Sequence, residues 1–331
     1  MLSILIPFKN DFGEIEPVVK HLLDTAGTDD LEIIVYNDGS FYGDNKPRAL
    51  ELDFPHTRVI NASQSFGVGF AFDRLVEAAQ SENIVLMGDD VFPHEGWYPK
   101  VLQAINAKPE SIGCSVCVGN LKPFRKHYGA DMLITMDNDD LPLGSKLRER
   151  AGGYTDIFRG RWADEKGIEP YEISCLMGAF YFTTKSWYQT IGGFDTQPRN
   201  RYCGHRVWSH LEPHLSLKSY LSGGNCVLYP DIEATHIFNR IDKMHRGAKG
   251  GRSAEWFHWN SQWILETMVL NDLARNMIKD FMHRELNWNV AEQMIKRNRA
   301  TVDRYKEMNR QRFKISFREY MDRFGLIIKA G

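Results

Sequence analysis

Five cysteines in 331 residues, an odd number without framework spacing, exclude a disulfide scaffold. Two of them, Cys114 and Cys117, form a C-x-x-C in "SIGCSVCVG". On a strand this spacing sends the two thiols to opposite faces, which argues against a shared zinc or a redox pair. Reduced core thiols of a cytoplasmic protein are the simpler expectation. Long apolar runs are missing as well: no stretch of about 18 residues suits a membrane-spanning helix. The opening "MLSILIPFKND" is apolar but short and lacks a basic lead-in, so it is expected to be a first strand and not a targeting peptide. A formal net charge of −2 excludes a strong overall pull toward nucleic acid or membrane. Internal repeats and low-complexity tracts are absent from the sequence.

What is present is an alternation. "LSILIPF" (2–8), "LEIIVYNDGS" (31–40), "NIVLM" (83–87) and "SIGCSVCVGN" (111–120) read as strands, apolar along nearly their whole length. Between them, 14–24, 68–80 and 96–105 carry helical apolar spacing. Continuously apolar strands separated by helices predict a mainly parallel sheet covered on both faces. Ligands of such sheets sit beyond the carboxyl ends of the strands, which places Asp38 and the Asp89–Asp90 pair at one crevice. Residues 121–170, charged and glycine-rich, read as an irregular insertion. "GAFYFTT" (178–184) is a strand, 205–221 a helix, and "CVLYPDIEATHIF" (226–238) a strand interrupted at Pro230. Residues 241–253 contain three glycines and no periodicity, which suits a loop; from 254 onward the chain reads as helices.

Several motifs carry chemistry, each with an ordinary alternative. "GDDV" (88–91) sets two like charges side by side after a strand; that is a solvated turn or a site for a hard cation such as Mg²⁺ or Mn²⁺. "NDGS" (37–40) is a turn, or it offers the Asp38 carboxylate to a nucleobase N–H. In "SFGVGFAFD" (65–73) the glycines admit a phosphate or base, or only serve close packing. His236 in "ATHIFNR" is a structural histidine or a ligand. Glu212 in "HLEPHLSLKSY" is a helix-start carboxylate or half of a general acid/base pair.

Taken in order, these motifs resemble the GT-A nucleotide-sugar-dependent glycosyltransferases. "SILIPFKND", "EIIVYNDGS", "SFGVGFAFD" and "VLMGDDVFPHEGW" resemble the family 2 group, whereas "LMGAFYFTTKSWYQTIGGFD" and "LKSYLSGGNCVLYPDIEATHIFNR" resemble polypeptide N-acetylgalactosaminyltransferases. The resemblance covers roughly residues 1–240. It implies a GT-A catalytic domain over 1–240, a lid at 241–253 and a helical extension over 254–331. It further implies that Asp90 and His236 bind Mn²⁺ or Mg²⁺, with Asp89 toward the ribose or the metal's waters. Gly88 stands where the family has its first aspartate. Asp38 takes the nucleobase position, Pro7 and Phe8 lie along base and ribose, and Ser65 borders the nucleotide where relatives often have Asn. Glu212 is the implied general base and Lys218 replaces the family's arginine. Asp195 in "GGFD" lies near a sugar. The cations of the lid, Lys243, His245, Arg246, Lys249 and Arg252, would close on the diphosphate, with Arg246 and Arg252 as the donor-binding pair.

Residues 271–331 hold 14 Lys and Arg against 8 Asp and Glu. Interspersed acids make this the solvated face of amphipathic helices, although a platform for a polyanion or an anionic membrane is the alternative. The expected activity is metal-dependent transfer from a nucleotide sugar, chiefly a UDP-sugar, to an acceptor hydroxyl. A glycan, a lipid-linked intermediate, a protein or a hydroxylated DNA base are the acceptor classes. The rival readings are a sugar-phosphate nucleotidyltransferase, whose Gly-rich, lysine-bearing phosphate loop "IPFKNDFGEI" does not match, and a nucleic-acid-binding protein on a degenerate transferase fold.

Overall fold

The computed structural model describes every residue except 11–12, 43–45, 121–123, 138–154, 199, 201, 208, 239–253, 284 and 330–331. The chain opens with β1 (Leu2–Phe8), α1 (Ile15–Ala26), β2 (Leu31–Asn37), the short β3 (Phe41–Tyr42) and β4 (Lys46–Pro47), β5 (Thr57–Asn61), α2 (Val68–Ala78) and β6 (Asn83–Met87). Then follow β7 (Val91–Pro93), α3 (Trp97–Ala107), β8 (Ser111–Gly119), β9 (Lys126–His127), β10 (Ala130–Met136), β11 (Asp156–Trp162) and β12 (Tyr171–Glu172). The second half continues with β13 (Phe180–Thr184), α4 (Lys185–Ile191), α5 (Leu211–Leu221) and β14 (Asn225–His236). It ends in α6 (Ala254–Met268), α7 (Asp272–Met282), α8 (Leu286–Arg297), α9 (Arg299–Arg312) and α10 (Phe317–Phe324).

One mixed sheet organises the molecule, in the order β12-β14-β8-β13-β6-β1-β2-β5. The β6-β1-β2-β5 half is parallel throughout. β13 runs against both β6 and β8, and β8 pairs parallel with β14. The expected parallel character therefore holds for most of the main path and is interrupted where β13 inserts. Strand periodicity explains the two cores. In β1, Ile4, Ile6 and Phe8 point toward α1 and α3, while Leu5 points toward α2; in β6, Val85 and Met87 go one way and Ile84 and Leu86 the other. Each fully buried aliphatic side chain contributes on the order of 1.5–3 kcal/mol, which is why these strands are apolar on both faces.

Two expectations need correction. Residues 121–170 are not merely irregular: β10 and β11 form an antiparallel pair, with Ala130 opposite Trp162 and Met136 opposite Asp156. The charged side chains of β11 obscure its alternation, and Phe158 sits in the left-handed region at φ 53°. The helix expected over 205–221 begins only at Leu211. Residues 205–210 instead wrap around Asn260 of α6, whose amide accepts from Arg206 N at 2.9 Å and donates to Ser209 O at 2.9 Å. The interruption expected at Pro230 is present: the register of β14 shifts between Tyr229 and Glu233, where Pro230 cannot donate to the ladder.

The C-terminal helices pack on the sheet domain through α6, whose Trp259, Trp263, Ile264, Leu265 and Met268 are wholly buried. Their basic residues meet acids on the same surface, as in Lys296–Glu292, Arg299–Asp303 and Arg318–Asp322. Among the described residues, no helix is long and apolar enough to cross a membrane.

Candidate active site

β6 delivers the Gly88-Asp89-Asp90 turn to the end of the sheet, and β7 then pairs with β14 so that His236 lies opposite Val91. A backbone bond from Ile237 N to Asp90 O, 3.0 Å long, locks this corner. As a result Asp90 Oδ1 lies 3.3 Å from His236 Nε2, although the two residues are far apart in sequence. Both side chains remain about one-fifth exposed, 21% and 20%. Half-buried Asp89 sits beside them. Two donors bonded at right angles to one ion at about 2.0–2.2 Å stand roughly 3 Å apart, so the pair fits adjacent positions on a divalent cation. Among the described residues, His236 Nδ1 is buried without a hydrogen-bond partner, leaving the Nε2 edge as the polar face of this ring. No group of three or more His, Cys, Asp or Glu among the described residues could hold a metal by itself. Oxygen atoms of a diphosphate and water would have to complete the shell.

Gly88 has a local reason to be glycine. A Cβ there would lie 2.8 Å from Asp90 Oδ1 and 3.6 Å from Ala179 Cβ. Any side chain at position 88 crowds the carboxylate that faces His236.

His236 also lines a cavity of about 220 Å³ together with Glu212, Arg159, Trp162, Gly178, His210 and Phe238. Glu212 accepts a hydrogen bond from Tyr181 Oη at 3.0 Å. Burial raises its pKa, and its own backbone N–H, Tyr181, Arg159 and His236 pull in the opposite direction. Burial and these partners thus act on the Glu212 carboxyl in opposite directions. Arg159 is oriented by Asp156, whose Oδ2 is 3.5 Å from Arg159 Nε. Asp156 also lies 3.3 Å from His210 Nε2. Three non-glycine residues around this cavity, Phe158, Ala179 and His210, adopt left-handed backbone. Such conformations concentrate where a site over-determines the chain. Trp162 and Phe238 meet edge to face at 6.2 Å and give the cavity an aromatic wall.

At the nucleotide end, Asp38 is already engaged. Its carboxylate accepts from Ser65 Oγ at 2.6 Å, Phe66 N at 2.7 Å and Gly67 N at 3.0 Å, and it is nearly buried. Its first duty is to hold the loop leading into α2. Ser65 in turn accepts from Lys9 Nζ at 2.6 Å. Pro7 is partly buried, whereas the Phe8 ring is only 1% exposed within the α1/α3 core. Phe8 therefore has no ring face to lay along a base; its carbonyl instead accepts from Asp38 N at 2.9 Å. The G-x-G of the same loop serves packing: Gly67, at φ 99°, would place a Cβ 1.9 Å from Arg206 O. Asp195 and Lys218 lie away from the cavity surface, buried in a pair with each other. Arg246, Arg252 and the other cations of 243–252 lie outside the described residues. Sequence reasoning missed Tyr181, Arg159 and Trp162. Tyr181 read as one more core aromatic, and the signal that could have marked it is its place two residues after Gly178-Ala179.

Comparisons with known proteins agree with this architecture. The sequence pattern of the family described as Glycosyl transferase family 2 matches residues 3–143. Mouse polypeptide N-acetylgalactosaminyltransferase 12 is 24% identical over 290 residues, 80% of this chain and 46% of the relative. A probable N-acetylgalactosaminyltransferase 8 of Caenorhabditis elegans is 24% identical over 169 residues, 48% of this chain and 34% of the relative. The chain thus spans less than half the length of these curated relatives. A crystal structure of GalNAc-T7 with UDP, GalNAc and Mn²⁺ superposes with a TM-score of 0.63 at 15% identity, covering 97% of this chain and 56% of that one. The chain has the GT-A fold of nucleotide-sugar glycosyltransferases. Its first half carries the family 2 pattern, and its likeness to the N-acetylgalactosaminyltransferases extends over four-fifths of its length.

Proposed function

We propose that this chain is a divalent-metal-dependent glycosyltransferase that moves a sugar from a UDP-sugar to an acceptor hydroxyl. One observation carries the reading: Asp90 and His236 converge to 3.3 Å at the edge of a cavity that also contains Glu212. The complex of GalNAc-T7 with UDP, GalNAc and Mn²⁺ supports both the donor and the metal.

Asp90 and His236 would hold the ion, with Asp89 toward the ribose or the coordinated waters. When bound, the ion supplies positive charge to the departing diphosphate. Asp38 and Ser65 shape the loop against which the base and ribose lie, and Arg246 and Arg252 would bring further cations to the diphosphate. Glu212 takes the proton of the acceptor hydroxyl as that oxygen attacks the anomeric carbon. The bond from the anomeric carbon to the diphosphate oxygen breaks in the same displacement. The aromatic wall of Trp162 and Phe238 excludes water from one side of the attacking group. A single displacement with Glu212 as base inverts the anomeric centre.

The test is release of nucleoside diphosphate from a panel of nucleotide sugars by the full chain with Mn²⁺. Mass and anomeric configuration are then read on glycan, lipid-linked, protein and hydroxylated-DNA acceptors. Loss of release in both Asp90→Asn and His236→Ala supports the reading. Metal-independent release, or release unchanged in the two variants, overturns it.

A further inference from the structure

A chain of hydrogen bonds joins the Gly88-Asp89-Asp90 turn to Glu212. Gly88 N donates to Ala179 O at 3.1 Å, Ala179 N donates to Tyr181 Oη at 2.9 Å, and Tyr181 Oη donates to Glu212 Oε1 at 3.0 Å. The direction of these bonds is set by chemistry. A backbone N–H only donates, an ionised carboxylate only accepts, and a phenol has a single proton. Having accepted from Ala179, Tyr181 directs its proton to Glu212. Ala179 presents its amide this way because it and Gly178 both take left-handed backbone, at φ 60° and 108°. An alanine held so is a feature that the surrounding structure enforces. A phenylalanine would fill the same space in the core, as Phe180 and Phe182 do on the opposite face of β13. The hydroxyl is the part that packing leaves unexplained.

We propose that Tyr181 is a positioning residue: it fixes Oε1 of Glu212, leaves Oε2 to take the acceptor's proton, and ties that base to the Asp89–Asp90 turn through Ala179. The role assigned to Glu212 rests on the proposed function; the positioning itself does not. Burial holds the Tyr181 proton in place, since its pKa is raised well above the usual phenol range. The groups facing Glu212 besides Tyr181 of β13 are Arg159 of β11, His236 of β14, Cys114 of β8 and Cys175 before β13. Among the interactions of Glu212, only the Tyr181 bond is removed by Tyr181→Phe.

The experiment is a carboxyl titration followed by ¹³C NMR on chain labelled at the glutamate carboxyl carbon, with the Glu212 resonance assigned by its absence in Glu212→Gln. A hydrogen bond to the ionised form lowers a carboxyl's pKa, so Tyr181→Phe should move the Glu212 midpoint upward, by about one pH unit. Nucleotide release should fall by about tenfold in kcat at unchanged donor KM and recover as the pH is raised. A midpoint that stays in place overturns the proposal. A second measurement needs no variant: the ring Cζ resonance of Tyr181 in the unmodified chain should titrate together with Glu212, and a flat response overturns the proposal equally. An unmodified chain that releases no nucleotide refutes the transferase reading, while the two titrations still decide the positioning.

Discussion

Two pairs of an acid and a nitrogen base invite comparison. Asp90 and His236 meet at the end of the sheet with a fifth of each side chain open, and His236 Nδ1 has no partner among the described residues. Asp195 and Lys218 meet in the interior at 1% and 0% exposure. Lys218 also donates to Gly192 O at 3.1 Å, and Asp195 Oδ2 accepts from Trp263 Nε1 at 3.1 Å. Burial lowers the Lys218 pKa, and Asp195 opposes that shift. Both pairs stand in motifs that look functional in the sequence. The first has room for further partners, whereas the second is saturated by the protein itself. A saturated buried pair holds structure together, and an open one can bind.

The sharpest way to break this contrast is to neutralise one member of each pair in turn. Asp90→Asn should lower Mn²⁺-dependent nucleotide release by at least about a thousandfold while leaving the melting temperature nearly unchanged. Lys218→Met should do the reverse. It strands the Asp195 carboxylate in the core and should cost about 3–5 kcal/mol, read by denaturant unfolding. Glu212→Gln should lower turnover by roughly a hundredfold to ten-thousandfold without weakening donor binding, as steady-state kinetics would show.

Acid should attack the saturated region first. Burial pushes His205 down to about 3, assisted by His210. Burial and then Lys218 hold His214 well below the ordinary range. Both rings are neutral in the folded chain, whereas in the unfolded chain they take up protons near pH 6.5. The stability tied to their neutral form is therefore complete above about pH 6.5 and is lost as pH falls below it, for His205 down to about 3, by roughly 1.4 kcal/mol per pH unit for each ring while it stays neutral in the fold. Unfolding midpoints measured from pH 7 to 4.5 would check the sign. The smallest effect is expected for Gly88→Ala. Its new methyl crowds Asp90 Oδ1, so Mn²⁺ affinity should weaken by several-fold, on the order of 1 kcal/mol, with folding stability retained.

Much of this was legible in the sequence because the parallel strands are buried on both faces. "NIVLM" is β6 residue for residue, since an apolar run bounded by polar turns has little freedom to be anything else. The approach of Asp90 to His236 followed from family order and not from spacing, because only the β7–β14 pairing brings them together. The β10–β11 pair was hidden by its charged outer residues. The late start of α5 was hidden too, because Asn260 of α6 holds residues that helical propensity alone would have added to the helix. Tyr181 was invisible for a different reason. Its partners Ala179 and Glu212 come from a strained turn and a separate helix, and no periodicity in one strand reports on either.

The indole of Trp263 reaching Asp195 has a practical consequence. The last quarter of the chain, from α6 onward, is no detachable appendage. A fragment ended ahead of α6 would expose Asp195 and the apolar surface beneath Trp259 and Trp263, and would be sticky and prone to clump during expression. Anyone trimming this protein for crystallisation should keep α6.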